Sequence, residues 1–209
     1  MTTDDQLSRM TAFYPAADIT PAEFEQFVVD LLISLDWETR NPPVVTLHDK
    51  IQGPDGTYDF DATARITLGG MQFLVLAEAK LHTNPIKREL VQVLHDKLRS
   101  VGAQKAVMFS TAPYQSGAVR YAQAHGIALA TITEGRFTYE TRSRQPTPRL
   151  TREQASELDI PVFVAHAYLP GRQPGTTSVL RLSSQDPEYV ARLLLPPQDP
   201  LGQETIQRG

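Results

Sequence analysis

Two acids and a lysine stand at the ends of two neighbouring predicted strands in the first half of the chain. Asp59 opens an alternating strand, while Glu78 and Lys80 end the next one, which is the most apolar strand in the sequence. The carboxylates of Asp59 and Glu78, with the backbone carbonyl of Ala79, are the hard oxygen ligands that suit Mg²⁺, for which Mn²⁺ is expected to substitute. With the Lys80 ammonium beside them, they predict metal-dependent attack of water on a phosphodiester.

The elements that must position these residues alternate between helices and strands. Thr20, Pro21 and Glu23 form the start signature of an amphipathic helix that runs to Leu35. The predicted elements that follow are strands at 44–47, 58–66 and 71–79, a helix at 86–101, a strand at 105–111, a helix at 116–125 and a strand at 127–133. This αβββαβαβ order predicts an α/β fold in which helices flank a central sheet.

Alternation along the strand at 58–66 assigns its side chains to two faces. Asp59 and Asp61 share one face, whereas Phe60 and Ala62 share the other. Asp61 is therefore a further candidate ligand on the face of Asp59, although an aspartate bonded to water is the safer interpretation.

Charge is segregated along the chain despite a formal net charge of only -4. Residues 80–105 carry six Lys/Arg against two acids, and residues 136–152 carry five Arg against one Glu. On the helix at 86–101, Val93 is expected to face inward with the other apolar side chains, while the following basic residues face outward: Lys87, Arg88, Lys97 and Arg99. These four are the candidate contacts to nucleic-acid phosphates, and a solvated helix surface is the plainer alternative.

Composition excludes several other classes of protein. The chain has 209 residues, 41% hydrophobic and 21% charged, which is typical of a globular protein, and no apolar run approaches the roughly 20 residues of a membrane span. It has no cysteine, so disulfides and sulfur-based zinc sites are excluded. The acidic N-terminal segment resembles no secretion signal, so we expect a cytoplasmic protein without membrane contact.

The C-terminal third differs in composition, since nine of the sixteen prolines fall between 146 and 200. We therefore divide the chain into an extension at 1–17, a main domain at 18–140, and a Pro-rich linker and small appendage at 141–209. Within the appendage, residues 160–169 and 176–182 are predicted to pair as a hairpin.

Three stretches of the sequence together resemble a known family. These stretches are GPDGTYDFDATARI, FLVLAEAKLHTNPIKRELVQVL and AVMFSTAPYQSGAVRYAQAHGIAL. Together with the helix that carries Phe24 and Glu25, they are similar to the catalytic domain of Mrr-type restriction endonucleases, in the PD-(D/E)XK nuclease superfamily. The resemblance covers about residues 18–137 and implies a restriction-endonuclease-like αβββαβ core. It implies that Asp59 is the first metal-binding acid, Glu78 the second and Lys80 the catalytic lysine.

The resemblance also supplies weaker candidates. Glu25 matches an acid that assists metal binding in some relatives, and Gln92 matches a polar position near the site on the following helix. The residue before Asp59 is Tyr58 rather than Pro, and a literal Pro-Asp pair ends at Asp55, which makes Asp55 a rival for the first acid. We prefer Asp59, because Asp55 lies in a predicted turn before Gly56.

The sequence therefore predicts a Mg²⁺-dependent DNA endonuclease with a role in restriction, defence or repair. The alternative is a nuclease fold without activity that binds nucleic acid or recruits a partner. A homodimer, and a protein partner bound through the C-terminal region, remain open alternatives.

Overall fold

The structure, a computed structural model, describes residues 19–33, 42–68, 70–134, 151–161, 163–170 and 176–182. The predicted extension at 1–17, most of the arginine-rich stretch at 136–152 and the tail after 182 lie outside these ranges. The elements in chain order are α1 (Pro21–Ile33), β1 (Val44–Gln52), β2 (Thr57–Leu68), β3 (Met71–Lys80), α2 (Arg88–Ser100), β4 (Lys105–Ser110), α3 (Ser116–Ala124), β5 (Ala128–Glu134), α4 (Arg152–Glu157), β6 (Phe163–Pro170) and β7 (Thr177–Leu182).

The described strands form one sheet of seven strands, whose order in space is their order in the chain. β1, β2 and β3 pair antiparallel, β3, β4 and β5 pair parallel, and β5, β6 and β7 pair antiparallel. Parallel neighbours need a crossover connection, and α2 and α3 provide the two crossovers here. The predicted αβββαβ core with a mixed sheet flanked by helices is confirmed.

Helices cover both faces of the sheet. α1 begins with the predicted capping box, in which the Thr20 N–H donates to Glu23 Oε2 at 2.8 Å and the Glu23 N–H donates to Thr20 Oγ1 at 3.3 Å. Its apolar stripe, with Phe24 and Leu32 fully buried, packs on one face. α2 and α3 pack on the opposite face, around Leu76 of β3. The charged end of β3 therefore emerges beneath α2.

Two side chains of α2 face differently from their predicted directions. Val93 is 55% exposed, whereas Val91 and Leu94 are buried against the sheet. Lys97, predicted to face outward, has a side chain only 23% exposed. The reason is helical spacing, because a residue three positions after buried Leu94 stays on the same side of the helix. Among the described residues, no helix is long and apolar enough to cross a membrane.

The predicted hairpin of the C-terminal third is present, and it extends the main sheet. β6 pairs with β5, and β7 pairs with β6. Val164 and Ala167 are fully buried, and Tyr168 joins the core on the side of α2 and α3. β6 and β7 thus contribute to the same sheet and core as the strands before them.

Candidate active site

A local break in the ladder between β1 and β2 decides which acid reaches the end of β3. Cα partners run without interruption from Val44↔Arg65 to Leu47↔Ala62 and resume at Asp49↔Phe60. His48 lies at the break with a φ of 50°, which is uncommon for any residue with a side chain.

The break reverses the faces of the two strands. Ala62 packs in the core under α1, but Phe60 packs in the core under α2 and α3. In a regular strand, residues two apart lie on the same face. The uninterrupted alternation predicted over 58–66 is therefore wrong, because the strand switches faces between Phe60 and Ala62.

Asp59 consequently lies away from the end of β3. It pairs across the ladder with Lys50, whose Nζ is 3.5 Å from Asp59 Oδ1, and both side chains are 72% exposed. The structure does not bring the Asp59 carboxylate together with Glu78 and Lys80. Only the backbone carbonyl of Asp59 faces this region, where it accepts a hydrogen bond from Lys97 Nζ at 3.2 Å.

Asp61 takes the place beside Glu78 and Lys80. The ladder between β2 and β3 ends at Ala62↔Ala77, and Asp61 Oδ2 accepts the Ala79 N–H at 2.7 Å. Burial raises the pKa of Asp61 above its ordinary value of 3.8, although the Ala79 hydrogen bond opposes the shift. The negative charge of Glu78 raises this pKa further, while the two nearby lysines lower it.

Glu78 lies at the centre of the site and is only 8% exposed. Its Oε1 is 2.5 Å from Lys80 Nζ, and its Oε2 is 3.4 Å from Lys97 Nζ. The Lys97 ammonium also lies 5.4 Å from the centroid of the Phe60 ring. We call Asp61, Glu78, Lys80 and Lys97 the acid–lysine cluster.

Thr111 fixes the backbone that follows β3 and so positions Lys80. The Thr111 N–H donates to the carbonyl of Lys80 at 3.2 Å. Its hydroxyl accepts the His82 N–H and donates to the His82 carbonyl, both at 3.0 Å. These bonds tie the exit of β3 to the end of β4, which is its parallel neighbour.

Two of the weaker candidates contact residues outside the acid–lysine cluster, and the third lies on α2. Asp55 is exposed in the turn before β2 and accepts a hydrogen bond from the Tyr58 hydroxyl at 2.8 Å. Glu25 of α1 pairs with His48, with Nε2 and Oε2 3.4 Å apart. Gln92 is half-buried on α2.

The basic residues predicted to bind nucleic acid separate into two groups. Lys87, Arg88 and Arg99 are exposed on α2, and the Arg88 guanidinium lies 5.1 Å from the centroid of the Tyr121 ring. Lys97 instead belongs to the acid–lysine cluster. Sequence reasoning missed this role, although its spacing of three residues from the apolar Leu94 was a usable signal.

The oxygen atoms of the cluster suit a hard divalent cation. Among the described residues no group of three His, Asp or Glu side chains is placed to hold a metal ion. Two carboxylates do lie close together, since the charge of Glu78 raises the pKa of Asp61, and Asp61 Oδ2 accepts the N–H of Ala79, the residue after Glu78. Mg²⁺ commonly binds through one or two carboxylates and retains several waters. A cation there would also offset the like charge and burial that raise the pKa of Asp61. The residues present therefore fit such an ion.

Comparison with known families identifies the family of this chain. A family model described as restriction endonuclease, Mrr_cat, matches residues 16–134, which is more than half of the chain. The chain belongs to this restriction endonuclease family. The Mrr_cat match spans α1 to β5 and includes every member of the acid–lysine cluster. Membership of Mrr_cat supports a nuclease role.

Two solved structures are similar to part of the chain. A protein of unknown function, AF1548, is 20% identical with a TM-score of 0.40, and the match covers 50% of this chain and 54% of AF1548. The DNA modification-dependent restriction endonuclease AspBHI is 17% identical with a TM-score of 0.39, and the match covers 62% of this chain and 33% of AspBHI. The match thus spans about half of the first neighbour and a third of the second. No protein of curated function matches the chain.

Proposed function

We propose that the chain hydrolyses phosphodiester bonds in DNA with a divalent metal ion bound by Asp61 and Glu78. The observation that carries the proposal is the meeting of Asp61 with Glu78 and Lys80 where β2 and β3 separate. Asp61 thereby takes the role that the sequence assigned to Asp59. The Asp59 side chain, exposed and paired with Lys50, has no part in the proposed site.

Some groups of the proposed site would bind the metal ion, and others would orient the carboxylates and the attacking water. Asp61 and Glu78, with the carbonyl of Ala79, would hold Mg²⁺ or Mn²⁺, which when bound neutralises charge on the phosphodiester and lowers the pKa of bound water. Lys80 is held against Glu78 Oε1 at 2.5 Å, and its partly exposed ammonium can donate a hydrogen bond to the attacking water. The Ala79 N–H keeps the Asp61 carboxylate turned toward β3.

Two substitutions on β2 form a matched pair for a cleavage assay. Asp61→Asn and Asp59→Asn make the same chemical change two residues apart on β2. Supercoiled plasmid and single-stranded DNA are incubated with Mg²⁺ or Mn²⁺, beside an EDTA control. We expect Asp61→Asn and Glu78→Gln each to lower the rate of DNA cleavage at least about 100-fold, because each removes the charge of a proposed metal ligand. Asp59→Asn should stay within about threefold of the wild type.

Lys80→Met tests the second half of the proposal in the same assay. The loss of a positioned proton donor or acceptor commonly costs about 10²- to 10⁴-fold in rate. Circular dichroism verifies that each variant is folded. If Asp59→Asn lost cleavage activity and Asp61→Asn kept the wild-type rate, Asp59 rather than Asp61 would be the metal ligand. DNA binding without cleavage by the wild type would favour the nuclease fold as a binding or recruiting module.

A further inference from the structure

Lys97 is a second cation placed on the proposed metal ligand. Its Nζ lies 3.4 Å from Glu78 Oε2 and 3.2 Å from the Asp59 carbonyl oxygen, so it bridges two oxygen atoms of β2 and β3 from α2. The side chain is 23% exposed and lies over the Phe60 ring. The ammonium thus donates hydrogen bonds to two oxygen atoms and lies over the electron-rich face of an aromatic ring, which makes the contact specific.

The charges of the acid–lysine cluster balance without a metal ion. By residue type, the two acids Asp61 and Glu78 face the two lysines Lys80 and Lys97, so the formal charges of the four side chains cancel. A divalent cation added to this half-buried group would leave an excess of two positive charges. Since like charges repel strongly where water is scarce, one ammonium must withdraw when the cation binds.

The geometry selects Lys97 as the ammonium that withdraws. Lys80 lies two residues from Glu78 on the same strand and contacts Oε1 at 2.5 Å, so it remains near that oxygen. Lys97 reaches Glu78 from another element at 3.4 Å. Its long, flexible side chain can rotate away from Glu78 without moving the backbone of the site.

We propose that Lys97 is an internal counter-ion that competes with the divalent cation for Glu78. It is thus a positioning residue that holds Glu78 in place before the cation arrives and sets the concentration of cation required. The inference rests on the proposed function, because it takes Asp61 and Glu78 as the metal ligands. It also reassigns Lys97, which the sequence placed among the contacts to nucleic acid.

Direct binding of Mn²⁺ in the absence of DNA tests the proposal. Electron paramagnetic resonance measures free Mn²⁺ during titration of the whole chain and its variants. Lys97→Met keeps the length of the side chain and removes its charge, so we expect the dissociation constant for Mn²⁺ to fall about three- to tenfold. Lys97→Arg retains the charge and should bind Mn²⁺ within about twofold of the wild type.

Two further variants separate this effect from a general change in charge. Lys87→Met removes the same charge from the exposed start of α2 and should leave the Mn²⁺ affinity unchanged. Asp61→Asn should weaken binding at least about tenfold. Thermal unfolding of every variant verifies that the fold is intact.

The outcomes distinguish this inference from the proposed function. If the wild type binds Mn²⁺ and Asp61→Asn does not, but Lys97→Met binds as the wild type does, the metal site stands and the counter-ion role is overturned. Weaker binding by Lys97→Met would also overturn it. If Mn²⁺ binds neither the wild type nor Lys97→Met, the metal site and the counter-ion role fail together.

Discussion

At the scale of single residues, the charge of Asp61 lowers the stability of the folded protein, although the proposed activity requires that charge. Its carboxylate is partly buried near Glu78, and the resulting rise in its pKa means that the folded protein disfavours its charge. Asparagine keeps an oxygen that can accept the Ala79 N–H but carries no charge. We therefore expect Asp61→Asn to raise the melting temperature of the metal-free protein at neutral pH, as measured by calorimetry.

Asp59→Asn is the matched control for this stability effect. The Asp59 side chain is 72% exposed, so removal of its charge should leave the melting temperature nearly unchanged. Added Mn²⁺ should raise the melting temperature of the wild type and of Asp59→Asn, but not that of Asp61→Asn. A fall in melting temperature for metal-free Asp61→Asn would contradict the burial argument.

Residue types and spacing sufficed to predict Glu78 and Lys80 as a pair, because a charged end on the most apolar strand is an unusual pattern. The choice between Asp59 and Asp61 depended on a backbone angle at His48, on another strand. Histidine is among the residues enriched at positive φ, but this preference is too weak to locate a break in a strand. The sequence therefore predicted Glu78 and Lys80 as site residues, named Asp61 only as a further candidate, and assigned Lys97 to nucleic-acid contacts.

At the scale of elements, the break at His48 is what turns Asp61 and Asp59 to different environments. A β-branched residue strongly disfavours positive φ, whereas glycine adopts it without cost. We expect His48→Val to lower plasmid cleavage at least about tenfold in kcat, because regular pairing of β1 and β2 would displace Asp61. His48→Gly should retain cleavage and have a similar or slightly higher stability, since it relieves a conformation that costs about 1 kcal/mol.

Glu25→Gln serves as a control for the imidazole of His48, because it weakens the contact at Glu25 Oε2 without touching the backbone of β1. Cleavage by this variant should be close to that of the wild type. Loss of cleavage in His48→Gly together with Glu25→Gln would mean that the imidazole matters rather than the backbone angle.

A half-buried network that crosses the break makes the pairing of β1 and β2 sensitive to acid. Asp49 Oδ2 accepts hydrogen bonds from Thr63 Oγ1 and Arg65, both at 2.7 Å. Burial opposes ionisation of Asp49, but these two partners outweigh it and hold the pKa below its ordinary value of 3.8. Because the folded pKa is the lower one, this stabilisation is present above about pH 4 and is lost as the pH falls through the folded pKa.

Asp49→Asn should therefore lower the free energy of unfolding by about 1–2 kcal/mol at neutral pH, since charge-assisted bonds are lost. Urea unfolding at several pH values should show that the difference from the wild type shrinks as the pH falls below the ordinary pKa of 3.8 and through the lower folded pKa of Asp49. A difference independent of pH would show that Asp49 acts through packing instead of charge.

At the scale of the whole molecule, the exposed cations of α2 lie apart from the acid–lysine cluster. Lys87, Arg88 and Arg99 are exposed, and each phosphate contact contributes about one unit to the dependence of binding on salt. We expect their joint replacement by Ala to weaken binding to a DNA duplex and to reduce the salt slope by up to about 3. Fluorescence anisotropy over a series of KCl concentrations measures both. An unchanged slope would place the DNA on another surface.

The extent of the sheet was the feature least accessible from the sequence. Alternation of helices and strands predicts the parallel neighbours β3, β4 and β5, because each crossover carries a helix. The Pro-rich composition of the C-terminal third indicated a linker and a small appendage, and no local pattern reveals that β6 pairs with β5. This pairing joins residues far apart in the chain and depends on which apolar faces meet.

The integration of β6 and β7 leads to a final prediction about truncation. Removal of residues 141–209 would expose the edge of β5 and delete Tyr168, whose hydroxyl lies 3.0 Å from Thr131 Oγ1 and whose ring packs against Tyr114. With Val164 and Ala167 also lost from the core, the cost should exceed about 5 kcal/mol, which is comparable to the whole stability of a domain. We expect this truncated chain to aggregate or to lose its cooperative thermal transition.

Truncation after residue 182 is the matched experiment, because it keeps every described strand. Its melting temperature should lie within a few degrees of that of the full chain, and the difference between the two truncations assigns the stability to β6 and β7. Any search for a partner of the C-terminal region must use the truncation after 182, since loss of binding in the shorter chain would report unfolding. Cooperative unfolding of the chain truncated at 140, at the temperature of the full chain, would show that β6 and β7 form a separate unit.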